Sequence, residues 1–364
     1  MQLRTLGFDE LPDWRTAELT AVWPAFLASC RAIVSDLPPL RRGVPPSESL
    51  RALAREALSL GEGADSISRF FADHFRPMEV LGGAGAADGF VTGYYEPEIE
   101  GSETESQEFP VPVLSRPDDL IDMRGVSAPG WDPHLEGARR APDGRLEPYP
   151  TRESIETRGL GRHSSPIVWL RDHVEVFFAQ VQGSARIRLP DGTRKRLVYA
   201  GRNGRPYSSI GRILIRDGEI PADEMSLARC KSWLRANGLE LGRRGRSVLH
   251  ANQSYVFFRL EEDADPQAGP VGAQGVPLSS LRSIAIDRTV WPYGTPVWVG
   301  ADLSSAGLGD GPSGRLMIAQ DTGSAIVGPA RGDLYIGSGD RAGEIAGLVR
   351  HPARFFAFVP AGFI

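Results

Sequence analysis

The chain has 364 residues, 41% of them apolar and 24% charged, with a net charge of -5. That length suits two domains rather than one; the balance is that of a soluble globular protein and excludes a disordered chain, and no run nears the roughly 18 apolar residues that a membrane-spanning helix needs. The negative charge argues against a protein that tracks a nucleic-acid backbone, and two cysteines, Cys30 and Cys230, cannot build a disulfide framework or a multi-cysteine metal site.

Met1-Gln2-Leu3-Arg4 opens the chain with no apolar signal region or lipidation motif, so the sequence is expected to be cytosolic or to have lost an export segment. Leu19, Val22, Trp23, Phe26, Cys30, Ile33 and Val34 recur at helical spacing, and so do Leu50, Leu53, Ala54, Ala57 and Leu58 behind Ser47 or Ser49 as N-cap. Ile67, Phe70, Phe71 and Phe75 predict a third helix. A Gly-rich stretch over 82–85, read as flexible, then leads into short runs of Val, Ile, Phe and Tyr between Gly, Pro and Asp clusters, a β-rich pattern. Strands are predicted over 90–95, 174–181, 185–189 and 196–199, the last two forming a hairpin across Pro190-Asp191-Gly192-Thr193. A helix over 222–236 carries Leu227, Cys230 and Leu234 on one face. Strands follow over 254–260, 283–286, 296–299, 315–319 and 355–359, with Gly- and Pro-rich loops at 263–275 and 304–314. Both cysteines occupy apolar helix faces and read as buried free thiols.

The densest chemistry lies in Gln320-Asp321-Thr322-Gly323-Ser324-Ala325-Ile326, with Asp333 twelve residues beyond Asp321 and Asp340 seven beyond that. Gly323, Gly328, Gly332, Gly337 and Gly339 punctuate the segment and allow a ligand close to the backbone. Three carboxylates in such a unit suit a catalytic cluster, although aspartate is also a routine turn residue. Asp-Thr-Gly is in addition the signature of aspartic proteases, whose two carboxylates share a proton; this chain holds one copy. The six histidines form no ligand pair, so no metal and no cofactor is expected. No Gly-x-Ser-x-Gly elbow and no Walker-type loop is present.

A polar and aromatic group completes the inventory: Thr92-Gly93-Tyr94-Tyr95-Glu96-Pro97, Gln180-Val181-Gln182-Gly183-Ser184, Tyr199-Ala200-Gly201-Arg202-Asn203-Gly204 and Tyr207-Ser208-Ser209. Aromatic faces with amide and hydroxyl groups are what sugars bind to, and tyrosine-rich strands are also ordinary sheet composition.

Six stretches, 91–97, 177–184, 197–215, 252–258, 285–289 and 318–347, together resemble, in order, the membrane-bound lytic murein transglycosylase A family with its C-terminal three-aspartate domain. The resemblance implies a mainly β fold with N-terminal helices: a double-psi β-barrel domain from 1–95 plus 250–364, a second, smaller β-barrel domain inserted over 96–249, and a substrate groove between them. It implies cleavage of the β-1,4 bond between N-acetylmuramic acid and N-acetylglucosamine in peptidoglycan without water, leaving a 1,6-anhydromuramic end, with one carboxyl acting as acid and then as base. Asp333, in Gly-Asp-Leu-Tyr-Ile-Gly, matches the family's catalytic residue, and Asp321 is the neighbour expected to raise its pKa by like charge or to orient it. Thr92, Tyr94, Gln182, Ser184, Tyr199, Gly201, Asn203, Tyr207, Ser209 and Asp340 are the implied substrate contacts. The implied partners are peptidoglycan glycan strands and proteins of cell-wall synthesis and degradation, not nucleic acid. The implied protein is a monomer in the periplasm, associated with the outer membrane. Two positions depart from the family pattern: Ala185 stands where Gly is expected and Gln253 where Pro is usual. A two-carboxylate hydrolase and a non-catalytic glycan-binding module remain the alternatives.

Overall fold

The computed structural model describes residues 1–16, 18–60, 63–81, 89–126, 128–263, 265 and 267–363, so the glycine-rich stretch read as flexible lies outside the described residues. The chain divides into two compact units, Met1–Glu96 with Asp265–Ile364, and Pro97–Ala264.

The first unit opens with β1 (Gln2–Thr5) and three helices, α1 (Leu19–Val34), α2 (Glu48–Ser59) and α3 (Ala64–His74), which lead into β2 (Phe75–Leu81) and β3 (Gly89–Glu96). Ser47 starts α2 by accepting from Leu50 N at 3.2 Å, the side-chain cap that replaces a missing helical acceptor. Trp23, Phe26, Phe70, Phe71 and Phe75 join α1, α3 and the start of β2, with ring centroids 5.4 to 6.2 Å apart, and Leu50, Leu53, Ala54 and Ala57 bring α2 to the same core. Their apolar faces continue into Trp298, Leu316, Ile318, Phe356 and Phe358 of the sheet. Cys30 is buried in this core, and burial pushes its thiol up to about 12.

The second unit runs β4 (Glu98–Ser102), β5 (Val111–Leu114), β6 (Ile121–Asp122), β7 (Gly137–Arg140), β8 (Leu146–Pro148), α4 (Arg152–Arg158), β9 (Pro166–Leu170), α5 (His173–Gln182), β10 (Ser184–Arg188), β11 (Arg194–Arg202), α6 (Ile210–Arg216), α7 (Leu227–Ala236), α8 (Arg244–Ala251) and β12 (Val256–Glu262). Its main sheet has the order β12-β11-β10-β4-β9-β5. A bridge between Ser115, just past β5, and Phe258 in β12 joins the two edges. The β10–β11 hairpin turns at Gly192, φ 87°.

Three expectations are corrected here. Residues 174–181, read as a strand, form α5. Asp172 accepts from Glu175 N at 2.9 Å as its N-cap, and Gly183 ends it in the left-handed conformation, so the caps and burial override the β-propensity of Val and Phe. The chain also leaves the second unit near residue 264 rather than at 249, because β12 pairs with β11 from Val256 to Glu262. The expectation of a mainly β chain with helices at its start understates the second unit, where Thr151, Asp172, Ser209 and Ser226 each cap a short helix.

Back in the first unit the chain forms β13 (Ser283–Ile286), β14 (Pro296–Asp302), β15 (Pro312–Asp321), β16 (Arg331–Ser338), α9 (Asp340–Leu348) and β17 (Arg350–Pro360). The sheet order is β1-β2-β17-β14-β15-β13-β16-β3, and β17 also pairs with β3. Strands β3, β17, β14, β15, β13 and β16 therefore close into a ring of six. Closure leaves none of these six as an open edge. Gly93 in β3 lies under α9, where an added Cβ would stand 2.9 Å from the Cα of Ala346. Backbone on both sides cannot yield, so Gly93→Val is expected to cost about 1–3 kcal/mol, read as a lowered urea midpoint. Gly211→Ala, whose Cβ would meet nothing nearer than Met225 Sδ at 3.7 Å, is expected to leave the midpoint in place.

Candidate active site

Strand register brings the carboxylates together. Strand β16 runs parallel to β3 with Asp333 opposite Thr92 and Tyr335 opposite Tyr94. On its other side β16 is antiparallel to β13 with Asp333 opposite Ala285, and β13 is parallel to β15 with Ala285 opposite Asp321. Asp321, Ala285, Asp333 and Thr92 thus form one row across four strands, the aspartates about 10 Å apart at Cα because two strand spacings separate them.

Thr92 Oγ1 donates to Asp333 Oδ1 at 2.6 Å, and Arg331 Nη2 donates to Thr92 Oγ1 at 2.7 Å. Asp321 is held more tightly: Tyr94 Oη donates to its Oδ2 at 2.8 Å, while the backbone amides of Thr322 and Ala273 donate to Oδ1 at 2.8 and 2.9 Å. Asp333 retains some solvent exposure, yet burial still pushes its carboxyl up to about 6. The Thr92 bond and the Arg331 charge oppose that rise, and the Asp321 charge adds to it least. Like charge from Asp321 is therefore a minor cause next to desolvation. Burial also raises Asp321, against the pull of its three donors and Arg41. Tyr94 lies well above its ordinary value through burial first and the Asp321 charge second.

A buried polar frame supports the row. Gln320, beside Asp321, donates through Nε2 to the Ala25 carbonyl at 2.8 Å and to Ser29 Oγ at 2.9 Å, and accepts from Ser283 Oγ at 2.5 Å. This amide fastens β15 to α1 and β13. Asp287 accepts from Thr289 N and Oγ1 at 2.9 and 2.6 Å and from Gly328 N at 2.7 Å. Burial pushes the Asp287 carboxyl up, but those bonds outweigh it and hold the group below the usual range, so it braces the loop ahead of β16 and is no acid at neutral pH. At the far end Tyr335 Oη and Ser338 Oγ lie 3.0 Å apart, and Ser338 Oγ donates to the buried Glu96 at 2.8 Å.

Of the residues singled out from the sequence, Asp333, Asp321, Thr92 and Tyr94 meet in the first unit. Asp340 is the exposed first residue of α9 and makes its mark on Tyr95, whose hydroxyl burial and then the Asp340 charge push up. In the second unit Gln182 ends α5, Ser184 begins β10 and is buried, and Tyr199 and Gly201 lie in β11. Ser209 caps α6 by accepting from Arg212 N at 3.3 Å, and burial raises the nearby Tyr207 hydroxyl. Asn203 is fully buried. Its Nδ2 donates to the Pro150 and Gln253 carbonyls at 2.9 and 2.8 Å, and its Oδ1 accepts from Tyr255 N at 2.9 Å and Arg205 N at 3.3 Å. All four of its hydrogen-bonding positions are occupied by main chain, so Asn203 clips three segments together instead of meeting a sugar. The sequence reading gave no role of their own to Gln320, Glu96 and Asp287, which lie in the stretches it singled out, or to Arg331. A signal existed for Arg331: two residues before Asp333 in a strand, it shares that residue's face.

Two family models match the chain, the MltA specific insert domain over residues 90–259 and the 3D domain over 282–359. The crystal structure of a membrane-bound lytic murein transglycosylase from Agrobacterium tumefaciens is 34% identical, with a TM-score of 0.86 over 99% of this chain and 98% of that one. The chain belongs to the membrane-bound lytic murein transglycosylase A family. Its fold is that of the family's crystal structures. Two further transglycosylase A relatives are those of Vibrio cholerae, 36% identical over 56% of this chain, and of Escherichia coli K12, 32% identical over 74%. The chain spans 54% and 65% of the length of those two relatives.

The raised carboxyl has a consequence for stability. Between the unfolded Asp value of about 3.9 and about 6, the native state holds more protons at Asp333 than the unfolded state. Stability therefore falls as pH rises through that window, and the cost stays in full above it. Asp333→Asn is expected to stabilise the protein by about 1–3 kcal/mol at pH 7.5 and by little at pH 4, measured as urea midpoints at the two values.

Proposed function

We propose that this chain is a peptidoglycan lytic transglycosylase that cleaves the β-1,4 bond between N-acetylmuramic acid and N-acetylglucosamine, with Asp333 as acid and then base. One observation carries the mechanism: a carboxyl held near the middle of the physiological range by burial, on a strand facing Thr92, in a row with one other carboxylate. Membership in the transglycosylase A family supports the substrate class. The six-stranded ring, with parallel pairs β13–β15 and β16–β3, supports reading the first unit as a double-psi β-barrel.

The chemistry uses one proton twice. Asp333 gives its proton to the glycosidic oxygen as the bond from C1 to that oxygen breaks, and the leaving N-acetylglucosamine departs as an alcohol. The C6 hydroxyl of the muramic residue then bonds to C1, and its proton passes to the Asp333 carboxylate, which restores the acid. No water is consumed. A hydrolase would need a second free carboxylate to activate water, whereas Asp321 accepts three hydrogen bonds and serves to orient Tyr94 and the backbone near Ala273. Among the proposed sugar contacts of the second unit, Gln182, Tyr199, Gly201, Tyr207 and Ser209 keep partial exposure. The relatives are named membrane-bound, and we place this chain likewise in the periplasm at the outer membrane. Among the described residues no helix is long and apolar enough to cross a membrane.

Mass analysis of muropeptides released from purified peptidoglycan tests the reading. Wild type is expected to release 1,6-anhydro products at a rate that declines as pH rises past about 6, since the acid must be protonated. Asp333→Asn is expected to lose about 10²–10⁴-fold in rate. Products carrying an added water would identify a hydrolase, and release of nothing by either protein would identify a binding module.

A further inference from the structure

Arg331 and Asp333 lie two residues apart on one strand face, so their side chains stand about 6–7 Å apart along β16. The parallel register sets Phe90 opposite Arg331 and Thr92 opposite Asp333, and the four side chains form a tile. The guanidinium is fixed on three sides. It lies 5.7 Å from the Phe90 ring centroid, donates through Nη1 to the Gly332 carbonyl and donates through Nη2 to Thr92 Oγ1 at 2.7 Å. Phe90 is 41% exposed, so it supplies one face of a clamp rather than part of a core.

A guanidinium can only donate. Its bond fills a lone pair of Thr92 Oγ1 and leaves the single hydroxyl proton to point along the 2.6 Å contact to Asp333 Oδ1. From this geometry we infer that Arg331 is a positioning residue: by donating to Thr92 it turns that hydroxyl onto Oδ1 of Asp333, so that the acid's own proton is carried on Oδ2. The two oxygens of Asp333 are thereby made inequivalent. Oδ1 remains an acceptor in both protonation states, and Oδ2 is the atom that gives and regains the proton. The other groups that bear on Asp333 are the Asp321 carboxyl across Ala285 and the Tyr94 hydroxyl bound to it, and neither touches Oδ1 through Thr92.

The inference rests on the lytic reading for its meaning, but its test does not depend on activity. The titration midpoint of the Asp333 carboxyl can be followed by carbon NMR on the full chain labelled at aspartate, with Asp333→Asn identifying the signal. Arg331→Met and Thr92→Val are each expected to raise the midpoint by roughly half a unit to one unit, because each loses a contact that favours the charged form. Thr92→Ser keeps a hydroxyl and is expected to hold the wild-type midpoint. In the Thr92→Val background, Arg331→Met should shift the midpoint less than in wild type, since its acceptor is already gone. Equal shifts in both backgrounds, or no shift in Arg331→Met, would overturn the inference; Arg331→Gln repeats the test should the Met variant fail to fold. In muropeptide release Arg331→Met is expected to lower kcat more than it raises KM. A wild type that releases no anhydro product sinks the lytic reading while the titration still decides the role of Arg331.

Discussion

Strand β13 is four residues long, and it alone separates the two strands that bear the carboxylates. Its Ala285 faces Asp321 on one side and Asp333 on the other. A larger side chain there would fill the space between the acids, and a bulge shifts the β13–β15 register at this point. Everything nearby is organised around that row: Gln320 fastens β15 from beneath, Asp287 braces the loop entering β16, and Tyr94 reaches over from β3 to hold Asp321. The fold supplies these contacts from strands widely separated in sequence, each paired on both sides within the six-stranded ring.

Two aspartates of similar chemistry are thus given different work by their surroundings. Asp321 is surrounded by three donors that hold its carboxylate in place. Asp333 has one hydroxyl and a partly desolvated setting, so its charge is poorly supported. That is a destabilising arrangement, and it is also what a proton-transfer group needs at neutral pH. The cost falls on a unit whose aromatic core, from Trp23 to Phe358, holds a reserve of apolar burial.

Much of this was legible in the residues. The 3.6-residue spacing of Leu19 to Ile33 marked α1, Ser47 marked the start of α2, and Asp191-Gly192 marked the hairpin turn. The resemblance gave Thr92 only as a substrate contact; no local pattern could announce its pairing with Asp333, because 241 positions separate them. The run from Val174 to Val181 misled because its composition favours a strand, while the information that makes it a helix sits in Asp172 and Gly183 at its ends. Asn203 resembled a sugar ligand because an amide reads the same whether it faces solvent or main chain; only its burial separates the two. Arg331 was passed over because the reading weighed carboxylates and neglected the cation on the same strand face.

The order of the chain adds a constraint of its own. Strand β3 is made early, and β13 to β16 follow only after the whole second unit, Pro97–Ala264, has been synthesised. A nascent chain that stops short of residue 331 holds Thr92 and Tyr94 but lacks Asp333, and the ring of strands cannot close without β14 to β17. Joining ends so far apart also slows the search for the native pairing. The row of Thr92, Asp333, Ala285 and Asp321 therefore exists only in a chain that has both ends of the first unit: neither end alone holds all four.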